Sequence, residues 1–328
     1  MNVLSLFDGM SCGRIALDRA GIKVDKYFAS EIDKYAIKVS QANWSDVTSI
    51  GDVTKIKFEN GVLHTEVGNF EVGKIDLVLA GSPCQGFSLA GKQLAFDDER
   101  SKLYFVFEEI LKSIQVENPD CKFILENVKM KQEHKDVITQ RLGVEPVAIN
   151  SHLVSAQNRY RLYWTNICEL QQPQNLNIDL EDILEDSVDQ KYFIKGGRLR
   201  WLETFGELKE KQGYVAFNPT KAKCLTVRGE PSWNTTYMVQ WPHGTNKGGV
   251  RAEDGKTPAL TVSSWQANNL LVDKETLVRK LTPTPTECER LQTVPDGYTK
   301  SVSDSQRYKM LGNGWTVDVI VHILKGLQ

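Results

Sequence analysis

The chain has 328 residues, 41% hydrophobic and 25% charged, with 40 Lys and Arg against 42 Asp and Glu. That length and apolar content supply the core of one large domain and a smaller one, and they exclude a fibrous or low-complexity chain. The net charge of −2 gives no overall pull toward a polyanion.

In chain order, the first predicted strand is Val3-Leu4-Ser5-Leu6, and it runs into Phe7-Asp8-Gly9-Met10-Ser11-Cys12-Gly13. This strand-to-helix turn contains the small residues that let a ligand approach the backbone closely. It lacks Gly-x-Gly-x-x-Gly and a lysine-bearing P-loop, so neither a dinucleotide nor ATP is specifically indicated. Tyr27-Phe28-Ala29-Ser30 reads as a second strand, followed by Glu31 where an acid in such folds accepts hydrogen bonds from ribose hydroxyls. Gly51-Asp52-Val53 puts another acid at a turn. Each acid alone is more readily a helix cap or a surface group. Three turns in this order point to a nucleoside-bearing cofactor.

Leu77-Val78-Leu79-Ala80, bounded by Asp76 and Gly81, reads as a buried parallel strand because four consecutive apolar residues leave no wet face. Directly after it, Gly81-Ser82-Pro83-Cys84-Gln85 presents a thiol at the strand's carboxyl end, where ligands and chemistry collect in open α/β sheets. Cys84 is therefore a candidate nucleophile, although an isolated cysteine is more often a small buried hydrophobe. From about Ser101, Leu103, Val106, Phe107, Ile110, Leu111 and Ile114 recur at steps of three and four, which predicts an amphipathic helix. Phe123-Ile124-Leu125 reads as a strand ended by Glu126-Asn127-Val128, and Gln157-Asn158-Arg159-Tyr160-Arg161 as the end of the next strand-like region. A soft nucleophile, an acid and two fixed cations on one sheet edge suit attack on an electron-poor ring. An ion pair at the sheet end is the plainer alternative.

Residues 1 to about 166 thus predict an α/β fold with a doubly wound, mostly parallel sheet. Beyond Cys168 the sequence turns Gln-, Asn-, Gly- and Pro-rich, and four of the seven tryptophans fall between 201 and 265, which indicates a second, smaller domain. From Lys191 to Lys280 there are 15 Lys and Arg against 8 Asp and Glu, a local excess able to hold a polyanion or simply to solvate a surface. After Arg279 helical character returns, with Thr286 as the expected cap and Val317, Ile320, Val321 and Leu324 as an apolar stripe. The expected division is 1–168, 169–278 and 279–328, the last segment returning to the first domain.

The cysteines at 12, 84, 121, 168, 224 and 288 show no paired Cys-x-x-Cys spacing and no nearby histidines, so reduced thiols are expected, with no zinc site and no disulfide framework. No apolar stretch reaches membrane-spanning length and the start lacks signal-peptide features; the expectation is a cytoplasmic protein without a membrane partner.

The ordered set Phe7-Asp8-Gly9, Glu31, Asp52, Pro83-Cys84-Gln85, Glu126-Asn127-Val128, Gln157-x-Arg159-x-Arg161, Leu281-Thr282-Pro283 to Glu289-Arg290-Leu291-Gln292, and Gly312-Asn313-Gly314 resembles the DNA cytosine-5 methyltransferases. The resemblance covers nearly the whole chain. It is nearest to the branch of the animal de novo enzymes, in a compact form that looks bacterial or phage. It implies the Rossmann-like methyltransferase fold with a target-recognition domain, S-adenosylmethionine as cofactor, and a flipped-out cytosine of a specific duplex DNA sequence as substrate. By the same resemblance, Cys84 attacks C6, Glu126 holds N3 and the exocyclic amine, Arg161 stabilises the adduct and Arg159 supports it. Phe7, Asp8, Gly9, Glu31, Ile32, Asp52, Val53, Ser82, Pro83, Leu103, Asn313 and Trp315 would bind the cofactor. Gln85, Ser88, Arg100 and Arg228 would touch DNA, and Gly86 to Asp98 would form a mobile cover. A monomer is expected, with a cognate restriction endonuclease as a possible partner. The competing readings are a transfer RNA methyltransferase, whose Cys-Phe-Thr tripeptide is absent, a non-catalytic DNA-binding paralogue, and an oxidoreductase. The family's first turn carries more glycine where Met10, Ser11 and Cys12 stand.

Overall fold

The computed structural model describes residues 1–82, 102–167, 169–179, 181–185, 187–189 and 284–328, together with the backbones of six short strands between 225 and 278. They fall into two compact units. The first comprises Met1–Ile149, Tyr160–Pro173 and Val317–Gln328, and the second Asn150–Arg159 and Gln174–Thr316.

The first unit is built on a seven-stranded sheet. Its strands are β1 (Asn2–Leu6), β2 (Lys26–Ser30), β3 (Val47–Ser49), β7 (Leu77–Ala80), β8 (Lys122–Val128), β9 (Val147–Asn150) and β11 (Tyr160–Thr165), in the order β3-β2-β1-β7-β8-β11-β9. The missing numbers belong to an antiparallel excursion, β4 (Lys57–Glu59), β5 (Val62–Thr65) and β6 (Gly68–Glu71), and to β10 (Gln157–Asn158) of the second unit. β1 pairs in parallel with both β2 and β7, so the winding direction reverses between β1 and β7. In such sheets the carboxyl ends of the two strands flanking the reversal open a ligand crevice. Phe7 follows one of them and Ser82 lies just beyond the other.

Burial explains why these segments are strands. Val3, Leu4, Leu6, Leu77, Val78, Leu79 and Ala80 are fully buried, which a strand covered on both faces requires. One cover is α3 (Lys102–Glu117), where Tyr104, Phe107, Ile110, Leu111 and Ile114 are buried in the core cluster. At roughly 1.5–3 kcal/mol per large apolar side chain, this stripe fixes the helix against the sheet. Leu103 and Val106 are partly buried at its margin. α7 (Val317–Leu324) packs against α1 (Cys12–Arg19), and Arg19 pairs with Asp318. The remaining helices of this unit are α2 (Lys34–Asn43) and α4 (Gln132–Leu142).

Two expectations about strand ends are corrected. β8 continues through Glu126, Asn127 and Val128 rather than stopping at Leu125, because those three residues pair antiparallel with Tyr163, Leu162 and Arg161. Arg161 accordingly lies near the start of a strand, not the end of one. An antiparallel strand begins at the edge where its parallel neighbours finish, so the guanidinium still reaches the carboxyl edge of the sheet.

In the second unit, α5 (Pro285–Leu291) and α6 (Asp304–Asn313) pack together. The short strands are β12 (Leu225–Thr226), β13 (Tyr237–Val239), β14 (Gly249–Val250), β15 (Thr257–Pro258), β16 (Leu270–Asp273) and β17 (Leu277–Val278). β12 pairs with β14, β16 with both β13 and β17, and β10 with β15. The cap of α5 is Thr284 and not Thr286. Thr284 accepts from the Glu287 N–H at 3.1 Å, Glu287 Oε2 accepts the Thr284 N–H at 2.8 Å, and Pro285 occupies the first helical position, where a missing N–H costs nothing. Thr284→Ala is expected to lower unfolding stability by about 1 kcal/mol and Thr286→Ala by less than about 0.5. Urea midpoints of the two variants check the assignment.

Candidate active site

The carboxyl edge of the first unit's sheet collects most of the described candidate residues. At the end of β1, Phe7, Gly9 and Ser11 all take left-handed backbone angles, with φ of 57°, 61° and 64°. Nothing lies within 4 Å of the position a Cβ on Gly9 would take, so the turn leaves open space at its apex. Ser11 stands where glycine would be the unstrained choice. Its hydroxyl offsets the cost by donating to Asp8 Oδ2 at 2.5 Å and meeting the Ser40 hydroxyl at 2.6 Å.

Asp8 points inward. Tyr27 donates to its Oδ1 at 2.7 Å, and the residue is buried. Burial pushes its carboxyl up from 3.8 to about 6, against the pull of the Ser11, Ser5 and Tyr27 hydroxyls; the Glu31 charge adds to the rise. Asp8 thus braces the turn from behind, while Glu31 holds it from the front. Glu31 Oε2 accepts the Gly9 N–H at 2.8 Å, and its Oε1 accepts the N–H groups of Ile32 and Asp33 at 2.8 Å each. Ile32 projects an apolar side chain that is 75% exposed, beside this carboxylate. After β3, Asp52 Oδ1 accepts the Thr54 N–H at 2.8 Å, and Val53 is buried behind it. Partly exposed carboxylates for hydroxyl and amino donors, an exposed aliphatic face and an open glycine apex fit the adenosine half of S-adenosylmethionine.

On the other side of the sheet's reversal, Ser82 is buried and its hydroxyl accepts from Asn127 Nδ2 at 3.1 Å. Ala80 lies opposite Leu125, so the chain leaves β7 toward Pro83 at the level of Glu126. Glu126 and Arg161 form an ion pair, Oε1 to Nε 2.8 Å, with side-chain exposures of 10% and 14%. The ladder makes them diagonal neighbours on one face, within reach of two long side chains.

Arg159 belongs to the second unit and is buried, with its guanidinium donating to the carbonyls of Gly312 and Gly314 at 3.2 and 3.0 Å. It braces the backbone around Asn313, which is exposed, and next to Trp315, which is buried. Leu103 packs at the margin of the core. Pro83, Cys84, Gln85, Ser88, Arg100 and Arg228, and the cover 86–98, lie outside the described residues. Of the remaining cysteines, 12, 121 and 288 are buried. Burial pushes the Cys121 thiol up to about 12 and holds Cys288 well above its ordinary value, so neither is a thiolate near neutral pH. Among the described residues no group of three or more His, Cys, Asp or Glu could hold a metal.

Sequence reading missed the buried amide chain of the second unit. Gln157 Nε2 donates to the Leu291 carbonyl and to Gln292 Oε1, while Gln292 Nε2 donates to the carbonyls of Leu311 and Gly314. Thr316 donates to Gln292 Oε1 at 2.9 Å. The signal was present as Gln157 and Gln292 within two separate motifs, but partners 135 residues apart cannot be paired from spacing.

Asp8 gives a pH prediction. Its unfolded carboxyl titrates near 3.8 and its folded one near 6, so between these values the folded protein holds the extra proton and this group's share of stability falls as pH rises. The loss amounts to roughly 3 kcal/mol and is complete above about pH 6–7. Asp8→Asn should gain on the wild type by that order between pH 4 and 7 in denaturant titrations. A pH-independent difference would contradict the assignment.

A family model described as C-5 cytosine-specific DNA methylase matches residues 1–328. The chain is 30% identical over 349 residues to the type II methyltransferase M.NlaX of Neisseria lactamica, covering 99% of this chain and 96% of that protein. It is 26% identical to the orphan methyltransferase M.SPRI of Bacillus phage SPR, covering 100% and 97%. Its fold matches that of a putative DNA modification methyltransferase encoded within an Escherichia coli prophage, with a TM-score of 0.63 at 21% identity and coverage of 100% and 98%. With its sheet reversal, its adenosine-fitting turns and its carboxylate–guanidinium edge, the chain belongs to the C-5 cytosine-specific DNA methylase family, whose members transfer a methyl group from S-adenosylmethionine to cytosine C5.

Proposed function

We propose that this chain methylates cytosine in a specific duplex DNA sequence through a covalent adduct between Cys84 and C6, with Glu126 and Arg161 acting on the base. The observation that carries this reading is the Glu126–Arg161 pair on the edge where the chain leaves β7 for Pro83-Cys84. Cytosine C6 is out of reach in a stacked duplex, so the base is flipped out before reaction. Glu126 then holds N3 and the exocyclic amine, with Arg161 keeping the carboxylate oriented and offsetting negative charge as it enters the ring. Addition of the Cys84 thiolate to C6 makes C5 a carbon nucleophile. S-adenosylmethionine supplies a methyl group bound to a sulfonium. C5 would take that methyl as the methyl–sulfur bond breaks and S-adenosylhomocysteine leaves; loss of the C5 proton and breaking of the C6–S bond would then restore the ring and free the thiolate. Phe7, Glu31, Ile32 and Asp52 would hold the adenosine portion, with the backbone N–H of Gly9 fixed by Glu31.

DNA carrying 5-fluorocytosine in the target site should trap the wild-type protein covalently, because fluorine does not leave as a proton does. Cys84→Ser should form no trapped species and Cys168→Ser should keep it; an adduct in Cys84→Ser would place the nucleophile elsewhere. Glu126→Gln should lower kcat by about a hundredfold or more while leaving DNA affinity within a few-fold. Radiolabel transferred only to RNA would overturn the DNA reading.

The basic, tryptophan-bearing stretch within 169–278 supports a role in reading bases and holding phosphates. Arg228 is the proposed base reader, and Gln85, Ser88 and Arg100 the proposed backbone contacts. Arg228→Ala should cost about 1–3 kcal/mol on the preferred site and less on others. Methylation of a randomised site library decides it, since uniform loss across all sequences removes Arg228 as a reader. The names of the type II relatives support a cognate restriction endonuclease. No helix among the described residues is long and apolar enough to cross a membrane; a cytoplasmic, monomeric enzyme is proposed.

A further inference from the structure

The antiparallel excursion β4–β6 leaves the edge of the sheet after β3, and the turn joining β5 to β6 carries Glu66. That carboxylate returns to the turn that follows β3. Glu66 Oε1 accepts the Asp52 N–H at 2.7 Å. The side chain also fills the space beside Gly51, whose φ is 78°. A Cβ there would lie 2.1 Å from Glu66 Oε1 and 2.8 Å from its Cγ and Cδ. On the opposite side, the Ser30 hydroxyl donates to the Gly51 carbonyl at 2.8 Å. The Gly51 carbonyl and the Asp52 N–H belong to one peptide unit, which is rigid and planar. Ser30 at the end of β2 and Glu66 at the hairpin tip therefore grip a single peptide plane from its two sides. Beyond that plane, the Asp52 carboxylate accepts the Thr54 N–H and the Asp52 carbonyl accepts the Lys55 N–H at 3.0 Å.

We propose that Glu66 is a positioning residue for the cofactor: by fixing the Gly51–Asp52 peptide plane it aims the Asp52 carboxylate at the adenine amino group. The inference rests on the reading of Asp52 as the adenine contact. A hydrogen bond accepted by a carboxylate is stronger than one between neutral groups, and in a short turn it replaces the water that would otherwise let the peptide rock. Preformed direction lowers the ordering cost of binding, so removing Glu66 should weaken S-adenosylmethionine without slowing the chemical step once the site is filled.

The test measures S-adenosylmethionine and S-adenosylhomocysteine binding by calorimetry, together with steady-state methylation, on the full chain. Glu66→Ala should raise both the cofactor Kd and its KM about tenfold. The kcat at saturating cofactor and the Kd for DNA should stay within twofold. Glu66→Gln keeps a carbonyl acceptor and should recover most of the affinity. In an Asp52→Ala background, Glu66→Ala should add no further loss, because its effect passes through Asp52. Wild-type cofactor binding by Glu66→Ala, beside weak binding by Asp52→Ala, overturns the role of Glu66 alone. Unimpaired cofactor binding by Asp52→Ala overturns the reading of Asp52 itself. A fall in Tm and kcat with unchanged KM would make Glu66 merely structural, and equal losses in both backgrounds would remove Asp52 as the intermediary.

Discussion

The antiparallel ladder between β8 and β11 is the constraint on which the candidate chemistry depends. It pairs Tyr163 with Glu126 and Arg161 with Val128, so Glu126, Tyr163 and Arg161 share one face. A slip of one residue would turn Arg161 to the other face and leave Glu126 without its cation. The pair is mostly buried, and taking two charges out of water costs several kcal/mol before their attraction returns it. A well-packed apolar pair would serve stability as well or better. What the ion pair adds is a fixed carboxylate direction at the edge where the chain leaves β7.

The cofactor side of the edge is built on a different principle, with bracing carboxylates rather than paired charges. Asp8 sits beneath the first turn with three hydroxyls lowering its cost of burial, and still its carboxyl titrates near 6. Glu31 faces outward and gathers three backbone N–H groups. Three left-handed residues, of which only Gly9 is glycine, hold the chain in a shape it would not choose unaided. Their strain is sustained because the surrounding hydrogen bonds over-determine the turn. The departure from a glycine-rich sequence at Met10, Ser11 and Cys12 is therefore absorbed: Met10 and Cys12 are buried, and Ser11 exchanges conformational ease for two hydroxyl contacts.

In the second unit a chain of buried amides does comparable work without charge. Gln157, Gln292 and Thr316 satisfy one another and the carbonyls of Leu291, Leu311 and Gly314. Arg159 adds two donors to the same backbone. A buried polar network of this kind is favourable only when its members are satisfied, and losing one member strands the others. The arginine that the motif pattern set beside Arg161 as a support for chemistry therefore does its visible work on the Gly312–Gly314 backbone.

By itself the sequence determined the strands Val3–Leu6, 27–30 and Leu77–Ala80, the long helix and its stripe, the place of Glu31 after a strand and of Asp52 at a turn, and the family. These follow from local periodicity and from motif order, which a linear chain displays directly. The tertiary structure decided that β8 runs on through Glu126 and that Arg161 opens a strand, since both depend on a partner roughly 35 residues away. It also decided that Thr284 caps α5, that Arg159 donates to the Gly312 and Gly314 carbonyls, and that Glu66 reaches Asp52 across 14 residues of hairpin. Each of these is a contact between side chain and distant backbone. Residue type declares a donor or an acceptor, but only the folded path declares which group it meets.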